Sequence, residues 1–161
     1  MITLHQISPD EWPLWRELRL SALTDSPASF SSKLADWISA PEQQWRERLS
    51  REGVYAAIAF SNERPVGMVG GLPPKPAAAA GIPAELVSLW VEPKARGTGI
   101  GDLLIQGVEA WTRQSGGTRL QLSVVKGNMA AYKLYRRNGF EVANDERDDE
   151  RDENRMVKVL I

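Results

Sequence analysis

The sequence predicts a single-domain α/β fold, with about seven strands and about four helices spread over residues 1–161. Two apolar stretches carry most of that reading. Residues 85–91 form a near-continuous apolar run, the mark of a central strand covered on both faces, and a second apolar strand follows at 119–125. A chain of 161 residues, 42% hydrophobic and 25% charged, also suits one packed core. At that length folding buries roughly 70% of the surface of the unfolded chain.

The elements follow in order. Residues 3–7 read as an opening strand, and Ser8, Pro9, Asp10 and Glu11 supply the capping and acidic residues of a helix start. Trp12, Trp15, Leu18, Leu20 and Leu23 then recur at about helical spacing. A second helix begins after Pro41, carries Trp45 and Leu49, and ends at Gly53. Residues 54–60 and 66–70 form a hairpin across residues 61–65. The Pro- and Ala-rich stretch 72–83 reads as an exposed loop. A helix over 99–115 buries Ile100, Leu103, Leu104, Val108 and Trp111, and Gly116-Gly117 stops it. A helix over 128–138 ends at Gly139, and strands at 140–142 and 155–161 close the chain. The acidic run between them, interrupted by Arg147 and Arg151, reads as a solvated hairpin loop.

Composition removes several kinds of chemistry. There is no cysteine, so disulfides, thiolate metal sites and cysteine nucleophiles are excluded. With His5 the single histidine, no metal site is expected, and His5 itself reads as an exposed strand residue. A net charge of −1, from 20 basic and 21 acidic residues, argues against nucleic-acid binding, which needs a basic field. No signal-peptide pattern and no membrane-length apolar stretch stand in the sequence. No membrane partner is expected, and a cytoplasmic location is the default expectation.

The richest stretch is Val91-Glu92-Pro93-Lys94-Ala95-Arg96-Gly97-Thr98-Gly99-Ile100-Gly101, between a buried strand and an amphipathic helix. Such a turn presents backbone N–H groups at the positive end of a helix dipole, which suits a pyrophosphate. Gly97, Gly99 and Gly101 keep side chains away from phosphate oxygens and permit positive φ, and Arg96 adds a donor. The dinucleotide fingerprint fails because the third glycine comes one residue early and the downstream acidic position falls near Gln121. The P-loop fails for want of Gly-Lys-Ser/Thr.

The spacing that is met is Arg-x-x-Gly-x-Gly, by Arg96, Gly99 and Gly101, and it resembles the coenzyme A pyrophosphate loop of the GNAT superfamily of N-acetyltransferases. A second pattern of that superfamily, Asn-x-x-Ala-x-x-Leu-Tyr-x-x-x-Gly-Phe, is matched at every fixed place by residues 128–140. Asn128 is a favourable N-cap, and Tyr135 lies two turns later on the same helix face. Residues 12–30 further resemble one common bacterial branch of the superfamily.

The resemblance implies a GNAT-like acyl-CoA N-acyltransferase fold with a central mixed sheet, in which the two apolar strands splay to admit a pantetheine arm. It implies acetyl-CoA as cosubstrate and direct transfer of the acetyl group to an amine acceptor, a small molecule or peptide. Backbone groups of Leu89, Trp90 and Val91 would meet the pantetheine, and Arg96, Gly97, Thr98, Gly99, Ile100 and Gly101 the pyrophosphate. Asn128 and Ala131 would meet the cofactor arm, and Tyr135 would lie near the sulfur as general acid. Ser29 and Phe30 would reach the acceptor pocket, which Trp90 either lines or leaves by burial under a helix. Glu85, at the start of the cofactor strand, is the candidate general base. Strand alternation puts it on one face with Val87 and Leu89, unless a bulge intervenes. Relatives often dimerise, so a homodimer is possible. The alternatives are a noncatalytic acyl-CoA sensor of the same fold and a nucleotide-binding module.

Overall fold

The structure, a computed structural model, describes residues 1–30, 32–74 and 82–160. Its element order is β1 (Ile2–Gln6), α1 (Trp12–Asp25), α2 (Leu34–Trp37), α3 (Glu42–Ser50), β2 (Tyr55–Ser61), β3 (Arg64–Leu72), β4 (Ala84–Val91), α4 (Ile100–Gln114), β5 (Arg119–Val125), α5 (Met129–Arg137), β6 (Glu141–Val142), α6 (Glu146–Glu150) and β7 (Glu153–Val159). The seven strands form one mixed sheet in the order β1-β2-β3-β4-β5-β7-β6. Only β4 and β5 run parallel; every other neighbouring pair is antiparallel.

Local chemistry explains the element ends. Ser8 and Glu11 form a capping box, Ser8 N–H donating to Glu11 Oε1 at 2.9 Å, and so start the first helical turn. The β2–β3 hairpin closes through Asn62 and Glu63, both at positive φ, between the paired Ser61 and Arg64. Alternation along β2 then divides the core. Tyr55, Ala57 and Ala59 face Leu104 and Val108 of α4, whereas Ala56 and Ile58 face Trp15, Leu18 and Trp45 of α1 and α3. Each face of the sheet thus carries its own helical layer.

The four long helices stand where the apolar spacing put them, and α2 and α6 are short additions. The acidic run departs from expectation in part. It does join the antiparallel β6 and β7 and is mostly exposed, but Asp145 caps α6 within it, and Asp148 is fully buried against Arg151 and Arg155 at 3.1 and 3.4 Å. Burying a carboxylate demands such partners, and the interrupting arginines are the partners. Among the helical tryptophans, Trp15 and Trp45 are buried, while Trp12, Trp37 and Trp111 sit half-buried at the core edge. Most of the Pro- and Ala-rich stretch, residues 75–81, and the last residue of the final expected strand lie outside the described residues.

Candidate active site

β4 and β5 pair only at Ala84 with Leu120 and Glu85 with Gln121. Beyond these pairs β4 stays with β3 and β5 stays with β7, so the sheet splits along a line starting at Leu86. A bulge helps to open the split: Met68 pairs with Trp90 and Gly70 with Val87, leaving one extra residue on β4. Ser88 takes it up at φ +58°, a conformation few side chains adopt. A cavity of about 640 Å³ occupies the split. On its floor the β5-facing edge of β4 offers backbone groups that no strand pairs with.

The bulge also overturns the expected strand alternation. Ala84 and Leu86 face the α4 layer before it, and Leu89 and Val91 face the same layer after it. Glu85 and Leu89 therefore lie on opposite faces. Glu85 stands at the closed end of the split and does not border the cavity, whereas Leu89, Trp90 and Val91 do.

The glycine turn forms one wall. Gly97 and Gly99 have φ of +78° and +86°, and nothing lies within 4 Å of where a Cβ would stand on either. Gly99 is the N-cap of α4, whose first intrahelical bond runs from Leu103 N–H to Gly99 O at 3.1 Å. The N–H groups of the first turn are thus left for a ligand at the positive helix end. Gly101 also borders the cavity and carries a second constraint. It lies inside α4, and a Cβ there would come 3.0 Å from Leu134 Cδ2, so its bareness serves the approach of α5. Ile100 borders the cavity; Thr98 does not, and its hydroxyl donates to Ala95 O at 2.5 Å.

The opposite wall is α5. Asn128 caps it, Oδ1 accepting from Ala131 N–H at 3.2 Å, and Ala131 borders the cavity beside it. Tyr135 is 7% exposed, lines the cavity and meets the Phe140 ring edge-on at 6.0 Å. Burial pushes its phenol above the usual tyrosine range, so it is a neutral proton donor at physiological pH. At the base of this wall Asp102 is held below the usual carboxylate range. Partial burial acts upward, and hydrogen bonds from Asn138 at 2.8 Å and Arg137 at 3.0 Å outweigh it.

Residues 25–30 bridge the two walls. Asp25 Oδ2 accepts from Trp90 Nε1 at 3.1 Å and from Arg96 Nη2 at 2.7 Å, and Arg96 Nε donates to Val91 O at 2.9 Å. On the other side Asn128 Nδ2 donates to Ser29 Oγ at 3.2 Å. Ser29 and Phe30 border the cavity as expected. Trp90 satisfies both of its readings at once: its residue is 7% exposed under α1 and it also lines the cavity. Asp25, Asp102 and Arg137 were not anticipated, and only the polarity of residues 25–29 hinted at the first. His5 is exposed and bonds Glu11 at 3.0 Å, far from this site. Among the described residues no three metal-ligating side chains come together, and no helix is long and apolar enough to cross a membrane.

The arrangement can hold a diphosphate on bare backbone, thread an extended arm along an unpaired strand edge and offer a proton from Tyr135. Known proteins were compared on this footing. A search of curated proteins found no match. Among solved structures, a GNAT-family acetyltransferase from Streptococcus pneumoniae is 21% identical over 100% of both chains, with a TM-score of 0.79. The PaiA N-acetyltransferase of Thermoplasma acidophilum, solved in complex with coenzyme A, is 20% identical over 99% of each chain, with a TM-score of 0.75. A ribosomal-protein-alanine N-acetyltransferase from Brucella melitensis is 23% identical over 98% of this chain and 99% of its own, with a TM-score of 0.73. These likenesses give the fold. The sequence model of the Acetyltransferase (GNAT) family matches residues 9–140, most of the chain, and the protein belongs to that family.

Proposed function

We propose that the protein is an acetyl-CoA-dependent N-acetyltransferase acting on a primary amine. The observation that carries this is the split between β4 and β5, walled on one side by a turn with two bare glycines at positive φ and on the other by a buried neutral phenol.

The residues fit coenzyme A. Backbone N–H groups of Gly97, Thr98, Gly99, Ile100 and Gly101, with Arg96, would hold the diphosphate. The free edge of Leu89, Trp90 and Val91 would bond the pantetheine amides, with Asn128 and Ala131 on the facing helix. Acetyl-CoA supplies an acetyl group already activated as a thioester. N–H donors fixed on β4 would stabilise negative charge on the acyl oxygen without reorganising, a large electrostatic contribution in a water-poor site. Tyr135 would give its proton to the leaving sulfur.

The acceptor must arrive as a neutral amine. At pH 7.4 deprotonating an alkylamine of pKa about 10.4 costs on the order of 4 kcal/mol, and an α-amine near 8 costs below about 1 kcal/mol. Glu85 would serve as base through a water relay, since it stands outside the cavity.

The test is calorimetry with coenzyme A, then incubation of acetyl-CoA with a broad amine panel, read by thiol release and mass spectrometry. Coenzyme A binding together with a mass gain of one acetyl group on an amine is the expected result. No heat at millimolar coenzyme A would sink the reading. Coenzyme A binding with no amine modified would leave a sensor.

A further inference from the structure

Arg19 lies on the buried face of α1 at 6% exposure. Its guanidinium stands over the Phe30 ring, 4.8 Å from the centroid, and Nη1 is buried without a hydrogen-bond partner among the described residues. Phe30 also borders the cavity. A second cation, Arg48 of α3, acts on Arg19 through its charge. Arg48 sits over the Trp37 ring at 5.8 Å, and Trp37 packs on Trp45 at 4.8 Å. Trp45 Nε1 is itself a buried donor without a partner.

The layer between α1, α2 and α3 therefore brings together two guanidinium groups and two buried donors, Arg19 Nη1 and Trp45 Nε1, that have no hydrogen-bond partner among the described residues. Burial lowers Arg19 to about 10, with Arg48 adding to the effect, and lowers Arg48 as well, yet a guanidinium at that value is charged at neutral pH. Stacking on Phe30 and Trp37 offsets part of the lost hydration through the ring faces, but a ring cannot satisfy several N–H donors. A packed layer with no ligand is served better by a leucine or methionine at such a position. What these groups lack is an oxyanion.

We propose that Arg19 and Arg48 form an oxyanion subsite, one aromatic ring behind the cavity, and that the acceptor amine carries a carboxylate or phosphate which seats there when Phe30 turns aside. The link to an acceptor rests on the N-acetyltransferase reading; the anion subsite does not. A planar guanidinium offers a carboxylate or phosphate two parallel hydrogen bonds, so the pair would select amines by their anionic end.

The experiment compares the wild type with Arg19→Met and Arg48→Met, each saturated with coenzyme A or acetyl-CoA so that the glycine turn is already filled. Glycine, β-alanine and 4-aminobutyrate are assayed beside their carboxamides, and 2-aminoethyl phosphate beside ethanolamine. The expected result is a preference of tenfold or more in kcat/KM for the anionic member of at least one pair. That preference should fall to within about twofold in Arg19→Met, through KM, with coenzyme A affinity unchanged. The chain length of the preferred acid reads the distance to the acetyl group, and the phosphate arm separates the two oxyanions. Equal use of acids and amides by the wild type, or a preference that survives in both variants, overturns the proposal. If coenzyme A binds but no amine reacts, inorganic phosphate is titrated into the coenzyme A complex. A rise in Tm that Arg19→Met loses supports the subsite, and no rise overturns it. Arg19→Met removes an unpaired buried charge and should fold; should it not, half-buried Arg48→Met carries the comparison.

Discussion

Asp25 and Arg96, 71 residues apart, meet at 2.7 Å at the edge of the glycine turn. The carboxylate fixes the end of α1 to β4 through Trp90 and also places a negative charge beside the proposed diphosphate site. The two effects oppose each other. The pair is half exposed on the Arg96 side and about a third on the Asp25 side, so it stabilises the fold by no more than about 1 kcal/mol. Asp25→Asn keeps an acceptor for Trp90 and removes the charge. Coenzyme A affinity should rise about two- to fivefold, with a steeper salt dependence, and Tm should fall by a few degrees. Calorimetry at two salt concentrations checks this, and a drop in affinity would mean that Asp25 holds Arg96 in its binding posture.

The same carboxylate sets a pH dependence. Hydrogen bonds from Trp90, Ser26 and Arg96 hold Asp25 below its ordinary value of 3.8. A depressed folded-state value stabilises the protein fully above the ordinary value, and the contribution disappears as pH falls through the folded value. Thermal melts of wild type and Asp25→Asn should therefore begin to converge below about pH 4 and meet only once pH has passed the depressed folded value, while other acidic groups titrate in both proteins.

Gly99 separates conformational cost from steric cost. No atom lies within 4 Å of an added Cβ, so Gly99→Ala meets no neighbour and loses only the price of positive φ, about 1–2 kcal/mol. Gly99→Glu bears a similar strain and also puts bulk and negative charge where the diphosphate belongs. Alanine should lower Tm and weaken coenzyme A modestly, and glutamate should abolish binding at a similar Tm. Isothermal titration beside thermal melts distinguishes them.

Much of this site was legible because its parts are local. The glycine turn, the N-cap Asn128 and the two-turn spacing to Tyr135 all lie within single elements, where spacing translates directly into geometry. Ser88 was not legible. A serine at φ +58° carries no sequence signal, and its bulge reverses which side chains of β4 share a face, which displaced Glu85 from Leu89. Asp25 escaped notice for a different reason. Its partners lie 65 and 71 residues away, and only the packing of α1 on β4 brings them together. Gly101 borders the cavity as its place in the turn suggested, but its second constraint, Leu134, is a contact between helices that one helix cannot reveal.

Tyr135→Phe should isolate proton donation. The ring packs edge-on against Phe140 and is almost wholly buried, so phenylalanine preserves the packing and Tm should move little. Loss of a general acid lowers kcat on the order of 10²-fold. Affinity for coenzyme A should be nearly unchanged. Because burial raises the phenol's pKa, no alkaline limb from Tyr135 should enter the rate profile below about pH 10. Pre-steady-state rates on an identified acceptor check both points, and an unchanged kcat removes Tyr135 from the mechanism.

Glu85 poses the sharper question, since it stands at the closed end of the split and no cavity wall includes it. A base there can act only through water, and a relay helps most where the free amine is scarcest. Glu85→Gln preserves shape and removes the proton acceptor. With an alkylamine acceptor of pKa about 10.4, kcat/KM at pH 7 should fall about tenfold or more, because roughly one molecule in 2,500 is then neutral. The deficit should shrink as pH rises toward 10, where the solvent deprotonates the amine instead. An acceptor with a pKa near 8 should show a much smaller loss at the same pH. A deficit independent of pH and of amine basicity would show that Glu85 supports the β4–β5 junction and takes no proton.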